Sequence, residues 1–170
     1  MAVKNIVIYP DPLLRKRSDE VVNIDQTIKK IIEDMKDTMY SAPGIGLAAP
    51  QIGENKRIIL CDIGEKRDGS ELIVLINPEI VESEGVFTFE EGCLSVPGFT
   101  EKITRKGKLL VRGWDLAEKE REIEAEDLLA VVFQHEIDHL NGKLFIDHLS
   151  HLKKELFKKW MKKQKNNKQN

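Results

Sequence analysis

The chain has 170 residues, 41% of them hydrophobic, and a formal net charge of -2 at pH 7. That is enough for one domain, 1–170, to bury a sizeable core without disulfides, and the near-neutral balance gives no sign of a DNA partner. Nowhere do about 18 apolar residues run together, and the run before Pro10 is too short for a signal peptide, so no membrane partner and a cytoplasmic location are expected.

Asp25 can cap a helix whose Ile28, Ile31, Ile32, Met35 and Met39 follow the i, i+3, i+4 rhythm, and Pro43-Gly44 stops it. The next segment, Gly44 to Ala49, fits the GxGxxA dinucleotide fingerprint by letter but not by context. That fingerprint needs a strand before and a helix directly after, whereas here a helical pattern precedes and Pro50 follows. The glycines, Gly46 included, permit instead the close approach of another backbone, such as a peptide pairing alongside as an added strand. Short β-rich runs then cover 57–62, 71–77, 87–89, 108–114 and 121–124, with turn residues at 64–70, 77–78, Gly92 and Gly107. Cys61 falls in a run that looks like a core strand.

Glu126 or Asp127 opens a second helix through Leu128, Val131, Val132 and Phe133 to Leu140, ended by Asn141-Gly142. A third helix is expected from about 150 to 163, with Leu149, Leu152, Leu156 and Trp160, beside Phe157 and Met161, as one apolar stripe. The tail after Lys163 reads as disordered. Lysines crowd this end from Lys153 to Lys168 against the single acid Glu155, making about 150–170 a basic C-terminal helix and tail. The whole reads as α+β: mostly antiparallel sheets around a central helix, with an N-terminal and a C-terminal helix.

The central helix carries His135-Glu136-Ile137-Asp138-His139, which is HExxH. Residues four apart share a helix face, so His135 and His139 can present two imidazoles to one ion while Glu136 sits beside the attacking water. A catalytic site of this kind needs a third ligand and an open position. Six residues beyond His139 stands Phe145, where the metzincin pattern requires histidine, and that family is excluded. His148, His151 and Glu155 are weak candidates beside lysines. Cys93 is the better one, because it sits in a glycine-flanked turn directly after a strand, although a free cysteine is ordinarily a small buried hydrophobe.

Three blocks stand in order: Gly44-Ile45-Gly46-Leu47-Ala48-Ala49-Pro50-Gln51, Glu91-Gly92-Cys93-Leu94-Ser95 and the HExxH helix. Together they resemble the GxGxAAxQ, EGCxS and HExxH motifs of the peptide deformylase family, and the spacing and length agree across nearly the whole chain. The resemblance implies Cys93, His135 and His139 as metal ligands and Glu136 as the general base. It implies that the Gln51 side-chain amide and the Leu94 backbone N–H stabilise the oxyanion. It also implies an apolar methionine pocket walled by Ile45, Phe89, Leu128 and Val131.

Glu91, Asp138 and Arg105 are expected behind the ligands, because metal-bound histidines usually donate their other N–H to such a partner. Some family members carry an arginine shortly after EGCxS that helps hold substrate, but here Val96 to Thr100 contains none. The implied cofactor is one divalent metal ion. The ligand types suit zinc, nickel or cobalt as well, and the resemblance favours iron(II). The implied partner is a nascent N-formylmethionyl polypeptide, and the lysine-rich third helix suggests ribosome association. Two rivals remain: an HExxH peptidase with Glu155 as third ligand, and a non-catalytic module in which the metal only holds the fold.

Overall fold

The computed structural model describes residues 2–168. Helix α1 (Gln26–Ser41) starts at Asp25, whose carboxylate accepts from the Ile28 N–H at 3.0 Å. Strands β1 (Gly46–Ala48), β2 (Ile58–Cys61), β3 (Ile73–Glu84), β4 (Phe87–Cys93), β5 (Val96–Arg105), β6 (Lys108–Trp114) and β7 (Glu120–Glu126) follow. The chain then enters α2 (Asp127–Leu140) and finishes with α3 (His151–Lys168). The order β1-β2-β3-β6-β7 makes a five-stranded sheet and β4-β5 a separate two-stranded one, with every pairing antiparallel.

Side chains alternate across a strand, and β2 shows why all four of its residues are buried. Ile58 and Leu60 face Ile32, Met35 and Met39 of α1, whereas Ile59 and Cys61 face Phe133, Ile137 and Leu140 of α2. The sheet therefore lies between the two helices, and α2 is central because β4 approaches it from elsewhere. A third cluster joins Val96 and Ile103 of β5 to Leu14, Phe145 and Phe157, with Phe99 edge-on to Phe157 at 4.8 Å.

The structure departs from the sequence expectations in several places. Gly92 and Cys93, expected in a turn, lie inside β4, which pairs on to Cys93, and the short strand β1 was not expected. Asn77-Pro78 does not end a strand. Asn77 takes φ +50° and the register shifts there, so the chain bulges and β3 continues to Glu84. The Asn77 side chain bonds both the N–H and the carbonyl of Val21, which holds that conformation. β5, rich in charge and carrying Pro97 and Gly98, lies in a stretch expected to contain no strand, yet it pairs with β4 from Thr100 to Arg105 and again at Val96, across a register shift. The expected stripe of α3 splits: Phe157 packs inward with Trp160 and Met161, but Leu152 and Leu156 are exposed, Leu156 standing about 100° round the helix from Phe157. Finally, α3 continues to Lys168 where disorder was expected after Lys163, since Lys and Gln, though polar, are good helix formers. The last two residues, 169 and 170, lie outside the described part.

Candidate metal centre and active site

β4 ends at Cys93, and α2 brings His135 and His139 to the same point from one helix face. The 3-10 turn Ala49–Ile52, following β1, supplies Gln51. The donor atoms of Cys93, His135 and His139 all lie within 4.8 Å of one another, and no other such group of His, Cys, Asp or Glu occurs among the described residues. Cys93 Sγ is 3.4 Å from His139 Nε2. His135 Nδ1 lies 2.9 Å from Glu91 Oε2, and because a carboxylate only accepts, Nδ1 carries the hydrogen and Nε2 is left for an ion.

The electrostatics agree with this use. Burial opposes a charged sulfur at Cys93, but His139 and His135 outweigh it and hold the thiol well below its ordinary value. Burial pushes the Glu136 carboxyl up to about 7, with His135 and His139 pulling the other way. Glu136 is 4% exposed, and its Oε2 has no hydrogen-bond partner among the described residues. One soft sulfur, two imidazoles and a neighbouring unpartnered carboxyl oxygen fit a divalent ion with an open position. His148, His151 and Glu155 are not in the cluster. Glu155 instead pairs with Lys158 at 2.8 Å on exposed α3.

Behind His135, Arg105 holds Glu91, its Nη2 donating to Oε2 at 3.0 Å, while its Nη1 donates to Asp138 Oδ2 at 2.9 Å. Burial works against the Glu91 charge, but His135 and Arg105 outweigh it and keep the carboxyl below its ordinary value. Asp138 does not reach a histidine of the cluster; it accepts instead from Arg105 and His148. Arg105 is thereby committed to two carboxylates.

A cavity of about 580 Å³ opens over the cluster. Ile45, Gly46, Phe89, Leu128 and Val131 line it, as do Cys93, Leu94 and Glu136. Gly46 lies directly against Glu136. A Cβ there would stand 2.9 Å from Val132 Cγ1 and 3.0 Å from Glu136 Cδ, and would overlap Glu136 Oε1. The Ala48 N–H donates to Gln51 Oε1 at 2.9 Å, which fixes the amide so that Nε2 faces Ser95 Oγ at 3.2 Å and Cys93 Sγ at 3.5 Å.

Sequence reasoning passed over Ser95 as a partner of Gln51, although it is the last letter of the EGCxS block. It also read Val132 only as a helix residue, not as a cavity wall beside Glu136. Helical period was the available signal there, because Val132 and Glu136 are four apart and share a face.

A family model described as polypeptide deformylase matches residues 3–155. Peptide deformylase from Syntrophobacter fumaroxidans is 51% identical over 166 residues, covering 97% of this chain and 98% of that one. The Thermodesulfovibrio yellowstonii peptide deformylase is 52% identical over 165 residues, covering 97% and 100%. The crystal structure of a peptide deformylase from Legionella pneumophila superposes with a TM-score of 0.91 at 47% identity, covering 99% of each chain.

Proposed function

Because the chain belongs to the polypeptide deformylase family, metal-dependent hydrolases that remove the N-formyl group from nascent polypeptides, we propose that Cys93, His135 and His139 hold its metal and Glu136 is its general base. One observation carries the assignment: three donor atoms within 4.8 Å of one another, beside a buried carboxyl whose Oε2 lacks a partner among the described residues, all at a substrate-sized cavity. The substrate end is the N-terminal formylmethionine and the released acid is formate. When bound, a divalent ion supplies Lewis acidity toward the formyl oxygen and the attacking water.

The chain's own groups do the rest. Glu136 takes a proton from the water as its oxygen bonds to the formyl carbon, and delivers that proton to the amine nitrogen as the C–N bond breaks. The Gln51 amide and the Leu94 backbone N–H donate to the developing oxyanion, each such donor contributing about 3 to 4 kcal/mol of barrier reduction. Ile45, Phe89, Leu128 and Val131 take the methionine side chain, and the Gly46 backbone on edge strand β1 lets the peptide pair alongside. No arginine follows EGCxS to anchor the substrate, since Arg105 is bound to Glu91 and Asp138. Those three residues orient His135.

Iron(II) is the proposed native metal, with zinc, nickel or cobalt able to occupy the same donors. Residues 1–170 act as one catalytic domain, working in the cytoplasm where nascent chains are made, and no helix among the described residues is long and apolar enough to cross a membrane. The exposed lysines of α3 support docking on ribosomal RNA. Deleting 150–170 should then abolish co-sedimentation with ribosomes at low salt; unchanged co-sedimentation rejects that docking.

The central test is formate release from a formyl-Met peptide by the anaerobic, iron-loaded protein, with Glu136→Ala alongside. Wild type should release formate and the variant should lose nearly all of it. Full activity in the variant would sink the role of Glu136, and activity surviving Cys93→Ser with an intact metal site would favour an HExxH peptidase instead.

A further inference from the structure

The charged network behind His135 continues beyond Arg105 and ends on a histidine at the surface. Asp138 Oδ2 accepts from Arg105 Nη1 at 2.9 Å and from His148 Nε2 at 2.8 Å. The two donors are 3.4 Å apart and are not bonded to each other, because a guanidinium N–H can only donate. Exposure rises outward along the chain, from 3% for the Arg105 and Glu91 side chains to 19% for Asp138 and 39% for His148. Arg105 spends Nε and Nη2 on Glu91, so it reaches Asp138 with one nitrogen only. A carboxylate gripped at one oxygen and open to solvent can still rotate.

His148 also belongs to an element that touches the metal centre by a second route. It ends the 3-10 turn Phe145–His148, whose first residue stacks on the His135 ring at 5.9 Å and 22°. Asp147 within the turn accepts from the Leu144 N–H at 2.9 Å and from Arg15, which fixes the backbone from which His148 reaches out. One short turn therefore meets His135 directly through Phe145 and indirectly through His148, Asp138, Arg105 and Glu91.

We propose that His148 is a positioning residue for the metal centre: by donating to Asp138 Oδ2 from the solvent side it fixes the Arg105 guanidinium, which holds Glu91 on His135 Nδ1. The inference rests on the reading of Cys93, His135 and His139 as metal ligands. A partner bonded directly to a ligating histidine changes metal affinity by about 10- to 100-fold, and His148 stands further out, so its loss should weaken binding by about three- to tenfold.

The test uses the full chain loaded with cobalt(II) under anaerobic conditions, with affinity read by chelator competition and the site by its thiolate-to-cobalt absorption. His148→Ala should bind cobalt about three- to tenfold more weakly and shift the absorption. His148→Gln should restore affinity to within about twofold, because its side-chain nitrogen lies the same number of bonds from Cα and can donate to the same oxygen. Combining His148→Ala with Asp138→Asn should weaken binding no further than Asp138→Asn alone, since both break one path. Wild-type affinity and spectrum in His148→Ala, or fully additive effects in the double variant, would overturn the proposal. A wild type that takes up cobalt without thiolate absorption would instead overturn the ligand assignment beneath it.

Discussion

Gly46→Ala puts the arrangement of base and edge strand to a direct test. The new Cβ would lie 2.9 Å from Val132 Cγ1 and 3.0 Å from Glu136 Cδ, against an ordinary carbon contact of about 3.5 to 4.0 Å. The strand cannot retreat freely, because Gly46 pairs with Cys61 in β1–β2 and the neighbouring Leu47 and Ala48 are fully buried. The Glu136 carboxyl must therefore move by about 0.5 to 1 Å, and a misplacement of about 1 Å at a catalytic group lowers the rate about 100-fold. That corresponds to about 2.7 kcal/mol of barrier, beside an overpacking cost of about 1 to 3 kcal/mol in stability. Steady-state formate release and thermal unfolding, at matched metal content, measure both. Gly85→Ala is the control: it has φ +65° with nothing within 4 Å of its Cβ, so it should lose about 1 kcal/mol of stability and keep full activity. A Gly46→Ala enzyme within about threefold of wild type would show that the carboxyl has room to spare, and the reasoning would fail.

Arg105→Leu should destabilise the metal-free protein by about 3 to 5 kcal/mol, because it leaves the buried Glu91 carboxylate, and beside it the half-buried Asp138, without their cation. Thermal unfolding would show a drop of at least about 6 °C, and an unchanged midpoint would mean the two acids simply take up protons at little cost. Asp34 is a buried residue within α1; burial pushes its carboxyl up, but bonds from Lys30 and the Ala2 N–H outweigh it and hold the group below its ordinary value. A depressed folded-state pKa stabilises above the unfolded value and stops doing so as pH falls through the folded one. Asp34→Asn should thus lower the denaturant midpoint at pH 7, with the gap to wild type closing below pH of about 4; a gap that persists in acid refutes the electrostatic account.

Much of the site was legible because its chemistry is local. His135, Glu136 and His139 sit within one helical turn and a bit, so period alone places them together, and a cysteine between glycines after a strand announces a thiol at a sheet edge. The four wall residues that the family resemblance implies, Ile45, Phe89, Leu128 and Val131, line the cavity, and so does Gly46. Less of the sheet was legible. Three residues of β1 are too few to show alternation, and β5 hides its pattern behind Pro97, Gly98 and Thr100. Pairing with β4 decides its conformation against local preference.

The sequence by itself determined which residue types could bind metal and move a proton, and that an apolar helix carries two of the proposed ligands, because these follow from side-chain chemistry and a fixed helical period. Only the tertiary structure decided what surrounds them. Cys93 meets the histidines because β4 runs onto α2; Gly46 presses on Glu136 because β1 crosses the same helix; His148 reaches Asp138 because a 3-10 turn folds back beside it. The first two contacts join residues tens of positions apart and the third residues ten apart, and only the packing of the sheets and the turn around α2 brings them within reach.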